Sequence, residues 1–245
     1  VSNFNSDFVD LTPICKENDI PFKFVDNINS QENIKWIESL KPDIIFCFGW
    51  SSLIKKELLN LAPMGVVGYH PALLPQNRGR HPIIWSLALG LEESGSTFFF
   101  MDEGADSGDI LSQEIIKVEY KDDARTLYNR IIDIALLQIE NFVPKLQSNS
   151  FIKIPQDHSK SNIWRKRGKK DGLIDFRMNS NAIYNLVRGL SKPYVGAHIE
   201  YKGLDIILNS WPNNKHLKIL GKCDDKQYES ALRHIIAQRS LKVTW

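Results

Sequence analysis

The sequence predicts an α/β protein: a mostly parallel, doubly wound sheet flanked by helices, followed by a small C-terminal β-rich appendage. Three observations predict it. Short apolar runs alternate with stretches of helical periodicity between Phe22 and Val143, the pattern of parallel strands joined by crossover helices. One run, Asp43-Ile44-Ile45-Phe46-Cys47-Phe48, is continuously apolar after its first residue, as a strand covered on both faces is. From Ser148 the alternation stops. Polar residues dominate to Lys170, and short β-like segments follow.

In chain order, Phe22–Val25 reads as a strand. Ser30 offers a helix cap, and Ile34, Ile37 and Leu40 fall at helical spacing before Pro42. The run 43–48 is the next strand, ended by Gly49, and 55–61 reads as a short helix. Gly65–Tyr69 is a further strand. Pro82 suits the first turn of a helix through Trp85, Leu87 and Leu89, with Gly90 as its stop. Thr97–Met101 and Ile110–Val118 are strands. Arg125–Val143 is the longest helix, with Leu127, Ile131, Ile134, Gln138 and Phe142 on successive turns and Pro144 ending it. A helix near 180–190 and strands at 197–201, 205–209 and 217–220 complete the chain, with Lys202-Gly203 as a hairpin turn. The expected division is a larger domain over 1–147, a linker over 148–170, and a small helix plus β-rich subdomain over 171–245.

Composition sets outer bounds. The 245 residues are 42% hydrophobic and 24% charged, an ordinary globular balance. No apolar run approaches the roughly 18 residues that suggest a membrane span, and no signal peptide is read at the start. Cys15, Cys47 and Cys223 show neither metal-site spacing nor an even disulfide set, which suits a reducing, cytoplasmic setting. Cys47 reads as a buried small hydrophobe. A net charge of +2 demands no nucleic-acid partner. The run Arg165-Lys166-Arg167-Gly168-Lys169-Lys170 is either a phosphate or nucleic-acid patch or a solvated linker. Asp102, Glu103, Asp106 and Asp109 lack the twelve-residue calcium-loop pattern. His158, His198, His216 and His234 fall in no ligand pattern, so no metal is expected.

The most informative residues are His70, in His70-Pro71, and Asp106, in Asp102-Glu103-Gly104-Ala105-Asp106-Ser107-Gly108. Each follows the carboxyl end of an expected strand. In an open, Rossmann-like sheet that edge is where ligands bind. A histidine beside a carboxylate there is a candidate proton-transfer pair. A His–Pro at a strand end also has a purely structural reading.

The segment Gly68-Tyr69-His70-Pro71-Ala72-Leu73-Leu74-Pro75-Gln76-Asn77-Arg78-Gly79 resembles the signature loop of the folate-dependent formyltransferases, usually Asn-x-His-Pro-Ser-Leu-Leu-Pro-x-x-Arg-Gly. The acidic loop resembles that family's second motif, in which the Asp before x-Gly is catalytic. A third stretch, 171–176 with 183–197, is similar to the region that follows the catalytic domain in methionyl-tRNA and sugar formyltransferases. The resemblance spans roughly 43–201. It departs in two places. The family's catalytic Asn is here Gly68, which carries no side-chain donor, and losing one such donor typically costs about a hundred- to a thousand-fold in rate. Family members also usually open with a strand and a Gly-containing turn before the equivalent of Phe22. Here Val1–Phe4 shows none, so further segments are expected at the ends.

The resemblance implies an enzyme that uses N10-formyltetrahydrofolate as formyl donor and formylates a small-molecule amine. It makes His70 the group for proton transfer or oxyanion stabilisation, with Asp106 holding it and relaying protons. Asn77 is either the substitute for the missing Asn or a turn residue. The folate is expected against Gly49, Trp50, Ser51, Ser52 and Leu53 and under the loop Met101, Asp102, Glu103, Gly104 and Ala105. Tyr69, Pro71, Arg78, Gly79 and Arg80 are candidate substrate ligands, the arginines by forked bonds to phosphate, the bland alternative being an exposed loop. The expected acceptor is a nucleotide-activated deoxyamino sugar. The alternatives are methionyl-tRNA, a peptide-synthetase formylation domain, or a folate- or sugar-binding protein with weak turnover. A homodimer is left open.

Overall fold

The computed structural model describes residues 9–50, 52–201 and 204–208. The helices are α1 (Thr12–Glu17), α2 (Gln31–Ser39), α3 (Lys56–Leu59), α4 (Pro82–Ala88), α5 (Ala124–Gln147) and α6 (Ser180–Gly189). The strands are β1 (Ile45–Cys47), β2 (Val66–His70), β3 (Arg78–Gly79), β4 (Glu93–Phe100), β5 (Ile110–Lys117), β6 (Ile163–Trp164), β7 (Ala197–Tyr201) and β8 (Leu204–Leu208).

The central sheet has the order β1-β2-β4-β5. β1 and β2 run parallel, with Cys47 opposite Gly68, while β2–β4 and β4–β5 are antiparallel. The α/β, Rossmann-like class is the one the sequence predicts. Among the described residues the sheet is mixed rather than mostly parallel. The connection 101–109 is too short to carry the crossover that a parallel β4–β5 pair would need. A bulge at Phe98/Phe99 shifts the β4–β5 register just before this loop, and bulges commonly re-aim a strand end beside a site.

Strand alternation sorts the residues between two faces. Val67, Phe98 and Phe100 pack under Ala135, Phe142 and Leu146 of α5. On the other face Val66 meets Ile54, Leu58 and Leu59, and Phe99 meets Leu74 and Ile110. His70 has the parity of Val66 and Gly68, so it emerges on the face opposite α5. Ser30 caps α2 by accepting from the Asn33 N–H at 3.4 Å. α5 opens with a reciprocal capping box of Asp123 and Thr126.

Two sequence readings are corrected and one helix was not read at all. Phe22–Val25 forms no strand; Phe22 and Phe24 pack edge-to-face at 6.2 Å and stay exposed, because no strand among the described residues lies beside them to supply a ladder. Thr12–Glu17 is helical, with Pro13 in its first turn. α5 does not stop at Pro144 but runs on to Gln147, which lets Leu146 bury against the sheet at 5% exposure.

The polar stretch 148–170 carries structure of its own. Ile154 bridges Ile110 with backbone bonds of 2.8 and 2.9 Å, and β6 pairs in parallel with β3. The chain after β5 and α5 therefore crosses back over the His70 loop. Beyond it α6 packs on α4, joining Ile84 to Ile183, Leu186, Val187 and Leu190. Gly189 permits this approach: a Cβ there would lie 3.1 Å from Leu87 Cβ. β7 and β8 pair antiparallel. The expected turn at Lys202-Gly203 and strand at 217–220 lie outside the described residues.

Candidate functional site

His70 ends β2 and is 5% exposed. Its Nε2 lies 2.7 Å from the main-chain carbonyl oxygen of Asn77. A carbonyl oxygen only accepts, so Nε2 carries the hydrogen. Nδ1 then faces the Asp106 carboxylate, 3.7 Å from Oδ2. Asp106 and Asn77 both adopt left-handed backbone, with φ of 53° and 63°, a conformation that non-glycine residues hold mainly where the surroundings impose it. The same Asp106 Oδ2 accepts the Gly79 N–H at 2.8 Å. Gly79 has φ of 100°, and a Cβ there would stand 2.3 Å from the Trp164 carbonyl oxygen. Glycine is required at that position by both conformation and contact.

The position where the resemblance expects an asparagine is packed with apolar atoms. A Cβ on Gly68 would meet Met101 Cγ at 2.9 Å and Phe99 Cζ at 3.0 Å. Asn77 does not turn its carboxamide to His70. Its Oδ1 accepts from Asn162 Nδ2 at 3.3 Å, and its N–H donates to Asn162 Oδ1 at 2.8 Å. Asn77 reaches His70 with its carbonyl alone.

For the expected folate side, Gly49 turns the chain with φ of 64°. The Trp50 indole N–H is buried with no hydrogen-bond partner. Such an orphaned donor fits a site completed by an acceptor from a bound molecule. Ser52 and Leu53 are exposed and Ser51 lies outside the described residues. Across from them, Asp102 Oδ1 closes its own loop by accepting the Gly104 N–H at 2.9 Å and the Ser107 hydroxyl at 2.6 Å. Glu103 pairs with Lys56 at 3.0 Å, tying the loop to α3. Asp102 through Ala105 are exposed, and Met101 is half-buried.

The candidate substrate ligands part company. Arg78 is only 6% exposed, and its Nη2 donates to Gln156 Oε1 at 2.6 Å and to His158 Nδ1 at 3.1 Å. Arg80 is exposed. Tyr69 lies among Phe48 and Phe98, with its hydroxyl 3.1 Å from Ser96 Oγ. Burial pushes that phenol up to about 12, so it stays protonated at neutral pH. Pro71 is half-buried.

Beside Arg80, Trp85 and Trp164 stack at 6.2 Å, and the Arg167 guanidinium sits 4.4 Å over the Trp85 ring. Arg165 is bound by Asp171, whose carboxyl is held far below the usual carboxylate range by that pairing and by the Gly168 N–H. His81, left-handed at φ of 59°, accepts the Arg167 N–H at its Nδ1. Burial, then Arg80, Arg167 and Lys166, pull its pKa down, in keeping with a neutral ring. Sequence reasoning missed Gln156, Asn162 and Trp164. Their one signal was a Gln, an Asn and a Trp inside an otherwise basic and polar stretch.

The structure also gathers His198, Glu200 and Asp205, with candidate ligand atoms within 4.8 Å of one another. Glu200 and Asp205 stand opposite each other across β7–β8. Lys169 already supplies a cation there, 2.6 Å from Asp205.

Comparison with known proteins decides the family. The formyl transferase family model matches residues 12–138, and the formyl transferase C-terminal domain model matches 166–230. The chain belongs to the formyl transferase family. It is 36% identical over 178 residues to the bifunctional polymyxin resistance protein ArnA of Wigglesworthia glossinidia brevipalpis, a match covering 73% of this chain. It spans 27% of the length of that relative. Among solved structures, a 4-N formyltransferase from Francisella tularensis shares the fold with TM-score 0.69 and 22% identity, covering 86% of this chain and 84% of the other. The methionyl-tRNA formyltransferase of Clostridium thermocellum superposes with TM-score 0.65 and 21% identity, covering 85% and 89%.

Proposed function

We propose that this protein transfers a formyl group from N10-formyltetrahydrofolate to the amino group of a nucleotide-activated deoxyamino sugar. The carrying observation is the arrangement at His70: Nε2 bound to the Asn77 carbonyl, Nδ1 facing Asp106. Formyl transfer to an amine needs a group that removes a proton from nitrogen. With Nε2 occupied by its own hydrogen, Nδ1 is the basic position. A proton arriving there converts a lone-pair-to-carboxylate contact into an ion pair with Asp106, so the carboxylate stabilises the charge that the reaction creates. Asp106 is in turn steadied by the Gly79 N–H.

The folate, when bound, supplies the activated one-carbon unit. Gly49, the Trp50 indole N–H and the backbone of 101–105 are the groups to hold it. The Trp85–Trp164 stack with Arg167 and the nearby Arg80 supports a nucleotide on the acceptor, offering ring stacking and charge to a base and its phosphates. A sugar N-formyltransferase from Shewanella, of the same fold with TM-score 0.66 and 20% identity, supports a sugar acceptor. The basic run 165–170 favours a second reading, methionyl-tRNA. Two of its cations are already paired, Arg165 with Asp171 and Lys169 with Asp205.

The test follows turnover of N10-formyltetrahydrofolate by absorbance against a panel of nucleotide-linked 3- and 4-amino sugars and against methionyl-tRNA. Turnover with one amino sugar, lost in His70→Ala and Asp106→Asn, is the expected result. Turnover with the charged tRNA alone, falling steeply with salt, moves the assignment to the second reading. Folate binding without turnover on any acceptor refutes both.

A further inference from the structure

We infer that Gln156 is a positioning residue of the catalytic pair: it holds the turn that aims Asp106 at His70 and ties that turn to the His70 loop. The inference rests on the reading of His70 and Asp106 as the reacting pair. Gln156 lies between the two segments that the family models match, 12–138 and 166–230. It is 6% exposed and uses both ends of its carboxamide. Nε2 donates to the main-chain carbonyls of Asp106 at 3.0 Å and Gly108 at 2.6 Å, and Oε1 accepts from Arg78 Nη2 at 2.6 Å. A carboxamide is suited to this because it presents two donor hydrogens and an acceptor in one plane.

The turn it grips is one the backbone does not adopt unaided. Asp106 is left-handed at φ of 53°, and a Cβ on Gly108 would lie 1.8 Å from the Phe100 carbonyl oxygen. On the other side, Arg78 directly precedes Gly79, whose N–H bonds the Asp106 carboxylate. Gln156, Arg78, Gly79 and Asp106 therefore form a closed ring of contacts, and Gln156 is the member that binds both the main chain of Asp106 and the side chain of Arg78. Without it the buried Gly108 carbonyl and the part-buried Asp106 carbonyl lose this donor, and nothing else in that ring fixes the backbone of Asp106 while its carboxylate stands 3.7 Å from His70 Nδ1.

The experiment compares the full chain with Gln156→Glu, Asp106→Asn and the double variant, using the amino-sugar acceptor that wild type turns over. Gln156→Glu keeps an acceptor for Arg78 and removes both donated bonds. We expect kcat to fall by ~10- to 100-fold, the scale of a displaced catalytic group, with KM for N10-formyltetrahydrofolate within about twofold. The double variant should be no slower than Asp106→Asn alone, since both act through one group. A kcat within about twofold of wild type, or losses that multiply in the double variant, overturns the inference. Should Gln156→Glu not fold, Gln156→Met carries the same expectations. If wild type turns over no acceptor, the proposed function fails instead. Selective 15N-histidine labelling then decides the inference. The His70 Nδ1 resonance should move in Gln156→Glu as it does in Asp106→Asn, and an unmoved resonance overturns it.

Discussion

The two nitrogens of His70 have different surroundings, the Asn77 carbonyl at Nε2 and the Asp106 carboxylate at Nδ1. Removing the ring in His70→Ala, or the charge in Asp106→Asn, should reduce formyl transfer by ~100- to 10,000-fold, the usual worth of a positioned acid or base, with an unchanged circular dichroism spectrum. Asn77 separates main chain from side chain. Asn77→Gly keeps the carbonyl and tolerates φ of 63°, so it should retain activity within about threefold. If the carboxamide were the missing oxyanion donor, the loss would be ~100- to 1,000-fold, a difference that a steady-state rate resolves. His70, Asp106 and their order were legible in the sequence because side-chain chemistry marks them. The part played by Asn77 was not, since a main-chain carbonyl has no residue signature. Gly68 was legible as a departure. The Met101 and Phe99 side chains lying over it became visible only with the β2–β4 register.

At the scale of elements, long periodic segments were readable and their ends were not. α5 was recognised from Leu127, Ile131 and Phe142. Its last turn was missed because the burial of Leu146 outweighs a proline one turn from the end. The run 148–170 was read as a linker for its polarity, yet its polar side chains point into the site: Gln156 to Asp106 and Arg78, Asn162 to Asn77. Phe22–Val25 had strand composition and no partner strand among the described residues. The corner between β5 and α5 carries a prediction of its own. Asp122 is 2% exposed and accepts from the Glu119 N–H at 2.7 Å and from Arg130 at 2.7 and 2.8 Å. Burial pushes its carboxyl up, but Arg130, the Glu119 N–H and Thr126 together hold it below its ordinary value. A carboxyl lowered by folding stabilises above its unfolded value and loses that contribution as pH falls through its folded value. Asp122→Asn should therefore destabilise by ~1–3 kcal/mol near neutrality. The Tm gap to wild type should be flat from about pH 8 to 5 and narrow below about pH 4. A gap that widens in acid would contradict this account.

At the scale of the molecule, the same corner is where the α6 and β7–β8 layer meets the sheet domain. Arg188 of α6 is 7% exposed, and its Nη1 donates to the carbonyls of Glu119 at 2.9 Å, Tyr120 at 3.1 Å and Asp122 at 3.1 Å. Ser191 accepts the Ala124 N–H at 3.1 Å, and Tyr184 donates to the Tyr120 carbonyl at 2.9 Å. With Gly189 seated on Leu87 and Ile84, these contacts join both layers through α4 and the start of α5. Arg188→Met keeps the length of the side chain and removes the donors; the Glu119 carbonyl keeps the Asp122 N–H and the Tyr120 carbonyl keeps the Tyr184 hydroxyl, but the buried Asp122 carbonyl loses its donor, at a cost of ~1–3 kcal/mol. For a chain of this size, each kcal/mol lowers Tm by roughly 2–4 °C. Calorimetry of wild type should show one transition, and Arg188→Met should move it down as a unit. An early second transition in the variant would mean that the two layers melt independently once Arg188 is lost and that the remaining contacts do not couple them. An unshifted Tm would mean that the Asp122 carbonyl finds another partner. Because Asp122 offers its carbonyl to Arg188 and its carboxylate to Arg130, Asp122→Asn and Arg188→Met act on one corner. Their Tm losses should combine to less than their sum, whereas strict additivity would place the two residues in separate supports.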